Sequence, residues 1–389
     1  MKRLFLTLIL GGLLYSTQVL YAQDEIANMK AEFEAMKKAQ NSDFANYKKS
    51  QEKAYASYKK ELNKFWNRPE LSTKKEWVSY SDDKKSRSKV DFEKNVVVIE
   101  VIAQSEEEAQ AKLLDRIVYV VSKDTKEVVE SDQLQKKLAS IKPPKEIITS
   151  KIDAKPILST VLFKSEPSKK ELNKYAEKVL VDNKVEVNKS KFGHENVYKL
   201  TVGLPADTTL KRSRIYKDEI VKNASRFEIP VALVFAIMQT ESNFNPFAKS
   251  HIPAFGLMQI VPHSAGKDVY RYLYKRDGMP SSTYLYNSDN NIEMGSVYLK
   301  ILYYRYLRKI KNPESRLYCT IAAYNTGAGN IAWAFTKHTN MNKATPKINV
   351  MTPDEVYNHL LNNLKYDEPK HYLKRVTRRM SAYKNAYEL

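Results

Sequence analysis

Glu241 stands three residues beyond the unbroken apolar run Val231-Ala232-Leu233-Val234-Phe235-Ala236-Ile237-Met238. Pro230, just before the run, pre-sets the first turn of a helix. A helix that is apolar all round must be buried all round. A carboxyl carried at its end loses hydration, and desolvation disfavours the charged form, so its pKa rises. That is what a general acid needs if it is to hold a proton near neutral pH and deliver it to a leaving oxygen. A glutamate that only caps the helix or closes an ion pair would suit the same place, and the helix alone does not separate the two readings.

Two later segments bear on the choice. Phe255-Gly256-Leu257-Met258-Gln259-Ile260 puts a flexible glycine, apolar residues and an amide together, and Ala322-Ala323-Tyr324-Asn325-Thr326-Gly327-Ala328-Gly329 runs from a helix end into a glycine turn. Gln259, Tyr324 and Asn325 supply donors and acceptors suited to the acetamido and hydroxyl groups of sugars. Taken singly, a glutamine is more often a solvated residue, and Tyr-Asn before glycine more often a helix cap.

The order Glu241-Ser242, then Gly256-Leu257-Met258-Gln259, then Ala323-Tyr324-Asn325 resembles the family 1 lytic murein transglycosylases of the goose-lysozyme-like superfamily. Three motifs in order within residues 241–325 are a specific combination, and the likeness to the catalytic domain covers roughly residues 212–387. The stretch from Gly256 to Val269 is most similar to a member that carries an α/β domain ahead of its catalytic domain.

The resemblance implies an enzyme that cuts the β-1,4 bond between N-acetylmuramic acid and N-acetylglucosamine. Glu241 would protonate the glycosidic oxygen and then act as base toward the muramoyl C6 hydroxyl, closing a 1,6-anhydro ring without consuming water. Ser250, Gln259, Tyr324, Asn325 and Tyr372 would bind substrate or orient the acid, and Ser242 and Met258 would support the site. No cofactor and no metal is implied. Ordinary glycosidases use two carboxylates, and the motif segments hold no second acid beside Glu241. A hydrolytic muramidase on the same fold would need one, and Asp268, Asp277, Asp289 and Glu293 are the candidates. A non-catalytic wall-binding scaffold is the other alternative, since fold alone does not imply activity.

The elements that must position these residues read as an α+β chain. Residues 23–69 form a polar helical arm, in which Phe33, Phe44, Tyr47, Tyr55, Tyr58, Leu62 and Phe65 make a narrow apolar stripe that is expected to pack along its own chain. Residues 70–203 read as a mixed α/β accessory domain. Strands are expected near Trp77–Tyr80, Lys89–Phe92, Val96–Ile102, Val185–Val187 and Val197–Leu200, with helices opening at Ser105 and Ser168. No catalytic motif is visible there. Residues 204–212 read as a linker, and residues 213–389 as an all-α, lysozyme-like catalytic domain.

Charge and the N-terminus bound the setting. Lys2 and Arg3 precede an apolar stretch, and Leu20-Tyr21-Ala22 offers a cleavage point, so residues 1–22 read as a signal peptide. The chain is then expected in the periplasm, with peripheral association at the outer membrane as the further expectation. The net charge of +20 calls for an anionic partner. An exported chain excludes nucleic acid and leaves peptidoglycan glycan strands, an anionic membrane surface or wall-synthesis proteins. Cys319 lies in an apolar run and reads as a buried small hydrophobe.

Overall fold

The structure is a computed structural model that describes residues 45–145, 147–191, 193–250 and 254–389. The signal peptide read at 1–22 and the arm up to residue 44 lie outside the described residues. Helix α1 (45–62) lays Tyr58 and Leu62 against Leu134 and Leu138, so the described part of the arm packs on its own chain.

Five antiparallel strands form one sheet: β1 (Glu76–Tyr80), β2 (Ser86–Asp91), β3 (Val96–Ala103), β5 (Val185–Lys189) and β6 (Asn196–Gly203), in the order β1-β2-β3-β6-β5. Alternation along β3 turns Val97, Ile99 and Val101 to one face, where α2 (Glu106–Ser122) and α6 (Lys169–Asp182) cover them with Leu113, Ile117, Leu172 and Val179. Ser105 caps α2 by accepting from the Glu108 amide, and Ser168 and Glu171 close a capping box on α6. Between them lie the short helices α3 (Thr125–Ser131), α4 (Gln133–Ala139) and α5 (Ser159–Leu162).

Two connections tie the sheet to the helices that follow. Strand β4 (Ile147–Ile148) pairs in parallel with β7 (Met279–Pro280), and Lys155 bridges to Glu219 at 2.5 Å. The second connection departs from the linker expected at 204–212. Thr208–Ile215 is helix α7, and its Arg212 is 1% exposed. The Arg212 guanidinium donates to the Phe92 carbonyl at 2.7 Å and lies over the Phe92 ring. A polar run reads as solvated from sequence, but here one arginine reaches back into the α/β layer.

The remaining α-helices are α8 (Lys217–Arg226), α9 (Val231–Glu241), α10 (Lys267–Tyr274), α11 (Ser282–Tyr286), α12 (Ser288–Ile301), α13 (Pro313–Thr326), α14 (Ala328–Thr336), α15 (Met341–Asn349), α16 (Pro353–Asn363) and α17 (Asp367–Tyr387), with π-helical turns at Pro262–Gly266 and Leu302–Tyr306. Helix α9 is central, with Ala232 to Met238 all buried. Helix α17 packs along it, and Phe235 stacks on Tyr383 and Tyr387 with centroids 5.1 and 4.7 Å apart. Cys319 is fully buried in the same core.

Candidate active site

Glu241 ends α9, and only 8% of its side chain is exposed. Burial is the largest influence on its carboxyl and pushes the pKa above the ordinary carboxylate range. Lys74 opposes this first, with its Nζ 3.6 Å from Glu241 Oε2. Tyr372 opposes it next. The Tyr372 hydroxyl is buried near the carboxyl and lowers its pKa, although among the described residues it closes no hydrogen bond of good geometry. Glu368, at the start of α17, pushes the pKa up again.

The chain turns sharply after Glu241. Asn243 and Phe244 both take left-handed backbone conformations. Ser242 donates its hydroxyl to Met238 O at 3.0 Å and Leu257 O at 2.7 Å, stapling the helix end to the Gly256 loop. That loop needs its glycine: at Gly256 φ is +74°, and an added Cβ would sit 2.3 Å from both Leu285 O and Asn291 Nδ2. Asn291, fully buried on α12, accepts from the Met258 amide at 2.8 Å and donates to Phe255 O and Leu285 O. Met258 itself lies against Gly295, where a Cβ would meet its sulfur at 2.1 Å.

Tyr324, from α13, donates to Met258 O at 2.9 Å, and its own pKa is raised by burial first and by Glu241 second. Gln259 is 7% exposed, and its amide NH2 donates to Ala248 O and Gly256 O, both at 3.0 Å. Its Oε1 is left buried without a partner among the described residues. Asn325 is half-exposed, with no hydrogen-bond partner for its side chain among the described residues. Ser250 pairs with Ala254 through backbone and hydroxyl, and it faces a cavity shared with Lys74. Glu241, Tyr324 and Tyr372 thus converge. Gln259 and Ser242 act through the loop, and Asn325 and Ser250 stand at the margins.

None of the four acids weighed as a second carboxylate is among the leading influences on Glu241. Asp268 accepts from Tyr306, Asp277 pairs with Arg271, Glu293 pairs with Arg226, and Asp289 lies by Glu219 and Lys155. Glu368 is the acid that does act on it.

The sequence reading missed Lys74, Lys75 and Asn291. Lys75 donates to the Gln239 and Thr240 carbonyls at 3.0 and 2.8 Å, placing a cation on the negative end of α9. Burial lowers its pKa to about 8. Both lysines precede β1, in the part of the chain where no motif is visible. Asn245 donates to Thr73 O and Lys74 O, and Trp77 packs on Phe247 at 5.5 Å, so the segment before β1 is built into the site. Asn291 gave no signal either, since it sits in the polar run Ser288-Asp289-Asn290-Asn291 and nothing in that run separates it from its neighbours.

Comparison with known proteins agrees with the motif reading. The Transglycosylase SLT domain family matches residues 218–347, and the family of the membrane-bound lytic murein transglycosylase C N-terminal domain matches residues 38–140. Membrane-bound lytic murein transglycosylase C of Yersinia pestis is 33% identical over 314 residues, covering 80% of this chain and 82% of that protein; the Yersinia pseudotuberculosis protein matches equally. Among solved structures, the 70 kDa soluble lytic transglycosylase of Escherichia coli is 24% identical with a TM-score of 0.36, over 46% of this chain and 26% of that one. With its two regions matched by two families and most of its length by whole relatives, the chain belongs to the membrane-bound lytic murein transglycosylase C family.

Proposed function

We propose that the protein is a lytic transglycosylase that cleaves the glycan backbone of peptidoglycan at the bond between N-acetylmuramic acid and N-acetylglucosamine. The observation that carries the reading is the buried Glu241 carboxyl, whose pKa burial raises. Glu241 donates its proton to the glycosidic oxygen, and the bond from muramoyl C1 to that oxygen breaks. The carboxylate left behind takes the proton of the muramoyl C6 hydroxyl. The C6 oxygen bonds to C1, which closes the 1,6-anhydro ring, and the glutamate ends protonated as it began. Family membership supports the substrate, and the buried Glu241 carboxyl, with no second buried carboxyl among the influences on it, supports one group serving in both steps. Tyr372 and Lys74 stabilise the carboxylate formed in between, Gln259 holds the Gly256 loop in place, and the half-exposed Asn325 is the group left to meet acetamido or hydroxyl groups. The expected setting is the periplasm. Among the described residues no helix is long and apolar enough to cross a membrane.

The test is digestion of purified peptidoglycan by wild type and by Glu241→Gln, followed by mass spectrometry of the released fragments. Products lighter by one water than hydrolytic ones, absent with the variant, are expected. Reducing-end products would make the protein a hydrolase, and Glu368→Gln would then test for a second carboxylate. Intact polymer after exposure to folded wild type would point to a scaffold.

A further inference from the structure

Beside Glu241 lies a partly open cavity of about 560 Å³, within the size range of small-ligand sites. Its aromatic lining comes from four separate parts of the chain: Tyr55 on α1, Trp77 on β1, Phe247 in the loop after α9, and Tyr286 on α11. Lys74 is common to this lining and to the ion pair with Glu241, so the cavity opens beside the catalytic carboxyl.

The charges facing the cavity do not balance. Lys59, Lys74, Lys75 and Lys249 line it, against Asp132 as the one acid in the lining. Asp132 is committed to capping α4, where it accepts from the Gln135 amide at 2.7 Å. Lys74 is paired with Glu241, and Lys75 is held by two carbonyls. Lys249 is different. Its Nζ lies 3.0 Å from the centre of the Tyr55 ring, and among the described residues it has no ion pair and no side-chain hydrogen bond. Burial lowers its pKa to about 7. A half-buried ammonium with only a ring face for company is costly unless an anion joins it. A neutral sugar would leave it uncompensated, whereas a carboxylate would complete it.

Resting on the proposed function, we propose that this cavity is a subsite for the peptide substituent of the glycan, with Lys249 binding a peptide carboxylate and the aromatic walls covering the peptide backbone. The muramoyl sugar at the cleaved bond bears such a peptide, and peptide carboxylates are the anions that this polymer brings closest to the scissile linkage. Ser250, next to Lys249, lines the same cavity. The enzyme would therefore distinguish peptide-bearing from bare glycan by contacts contributed jointly by α1, the segment before β1 and the loop after Glu241.

The test compares kcat/KM on peptidoglycan with that on the same glycan after an amidase has removed its peptides. Wild type is expected to favour the peptide-bearing polymer. Lys249→Met, which removes a poorly solvated charge and so should fold, is expected to reduce that preference roughly tenfold, the scale of one charge-assisted hydrogen bond. Lys249→Arg should keep most of it. An unchanged ratio in Lys249→Met, or no preference in wild type, overturns the subsite. A second measurement separates this from failure of the function itself: calorimetric binding of the free stem tripeptide to the whole chain. Binding lost in Lys249→Met supports the subsite even if neither polymer is cut, and absence of binding to wild type overturns it even if both are.

Discussion

Replacing Lys74 by methionine tests whether the segment before β1 tunes Glu241, the proposed catalytic acid. Lys74 Nζ is 3.6 Å from Glu241 Oε2; the Lys74 side chain is 44% exposed and that of Glu241 8%. At that separation two unit charges interact by roughly 1–2 kcal/mol if the effective dielectric constant is taken at about 40–80, as the open side of the pair requires. That corresponds to a factor of about ten in the protonation equilibrium. Lys74 favours the charged carboxylate, so its removal makes Glu241 hold its proton to higher pH. An acid that must be protonated to act loses rate as pH rises through its pKa. The alkaline fall of kcat/KM should therefore move to higher pH in Lys74→Met, and the ratio of variant to wild-type activity should climb roughly tenfold across that fall. Lys74→Arg should track wild type, and added salt should narrow the difference because the pair is part-exposed. The assay is kcat/KM on purified glycan over a pH series at two ionic strengths. An alkaline limb that stays in place, or moves to lower pH, would refute the reasoning.

Glu241→Gln should be more stable than wild type at neutral pH. The folded carboxyl has a pKa raised above its unfolded value, so its contribution to stability is fully present below the ordinary carboxyl range and is lost as pH rises through the folded pKa. Glutamine removes that loss, and the difference in thermal midpoint should vanish below about pH 4; a glutamine variant less stable at neutral pH would contradict the burial argument. Gly256→Ala should cost about 2–5 kcal/mol in urea unfolding, from the positive φ and from a Cβ 2.3 Å from a backbone carbonyl. A cost under about 0.5 kcal/mol would show that the loop relaxes freely, since substitutions away from special features fall within that range.

Local signals were legible wherever one stretch of chain contains the whole cause. The apolar run from Val231 to Met238 demands a helix buried on every side and so places Glu241 out of water. Alternation along Val96–Ala103 and the capping groups Ser105 and Ser168 belong to their own segments, and strands and helices form there. Gly256 and Tyr324 could be picked out by type and order. Their partners could not, because a hydrogen bond from Tyr324 to the Met258 carbonyl depends on how α13 packs against the Gly256 loop. Arg212 shows the same limit: its polar surroundings read as a linker, and only packing against Phe92 makes it a buried clamp.

The sequence by itself determined the layers, the burial of Glu241 and the family, through periodicity and ordered motifs. Tertiary structure alone decided what surrounds that glutamate. Lys75 meets the end of α9 across a separation of 164 residues, and Lys74 reaches the carboxyl from the same segment. A lysine in a charged run carries no sign of its partner, because Coulomb attraction and desolvation depend on distance in space, and folding sets that distance.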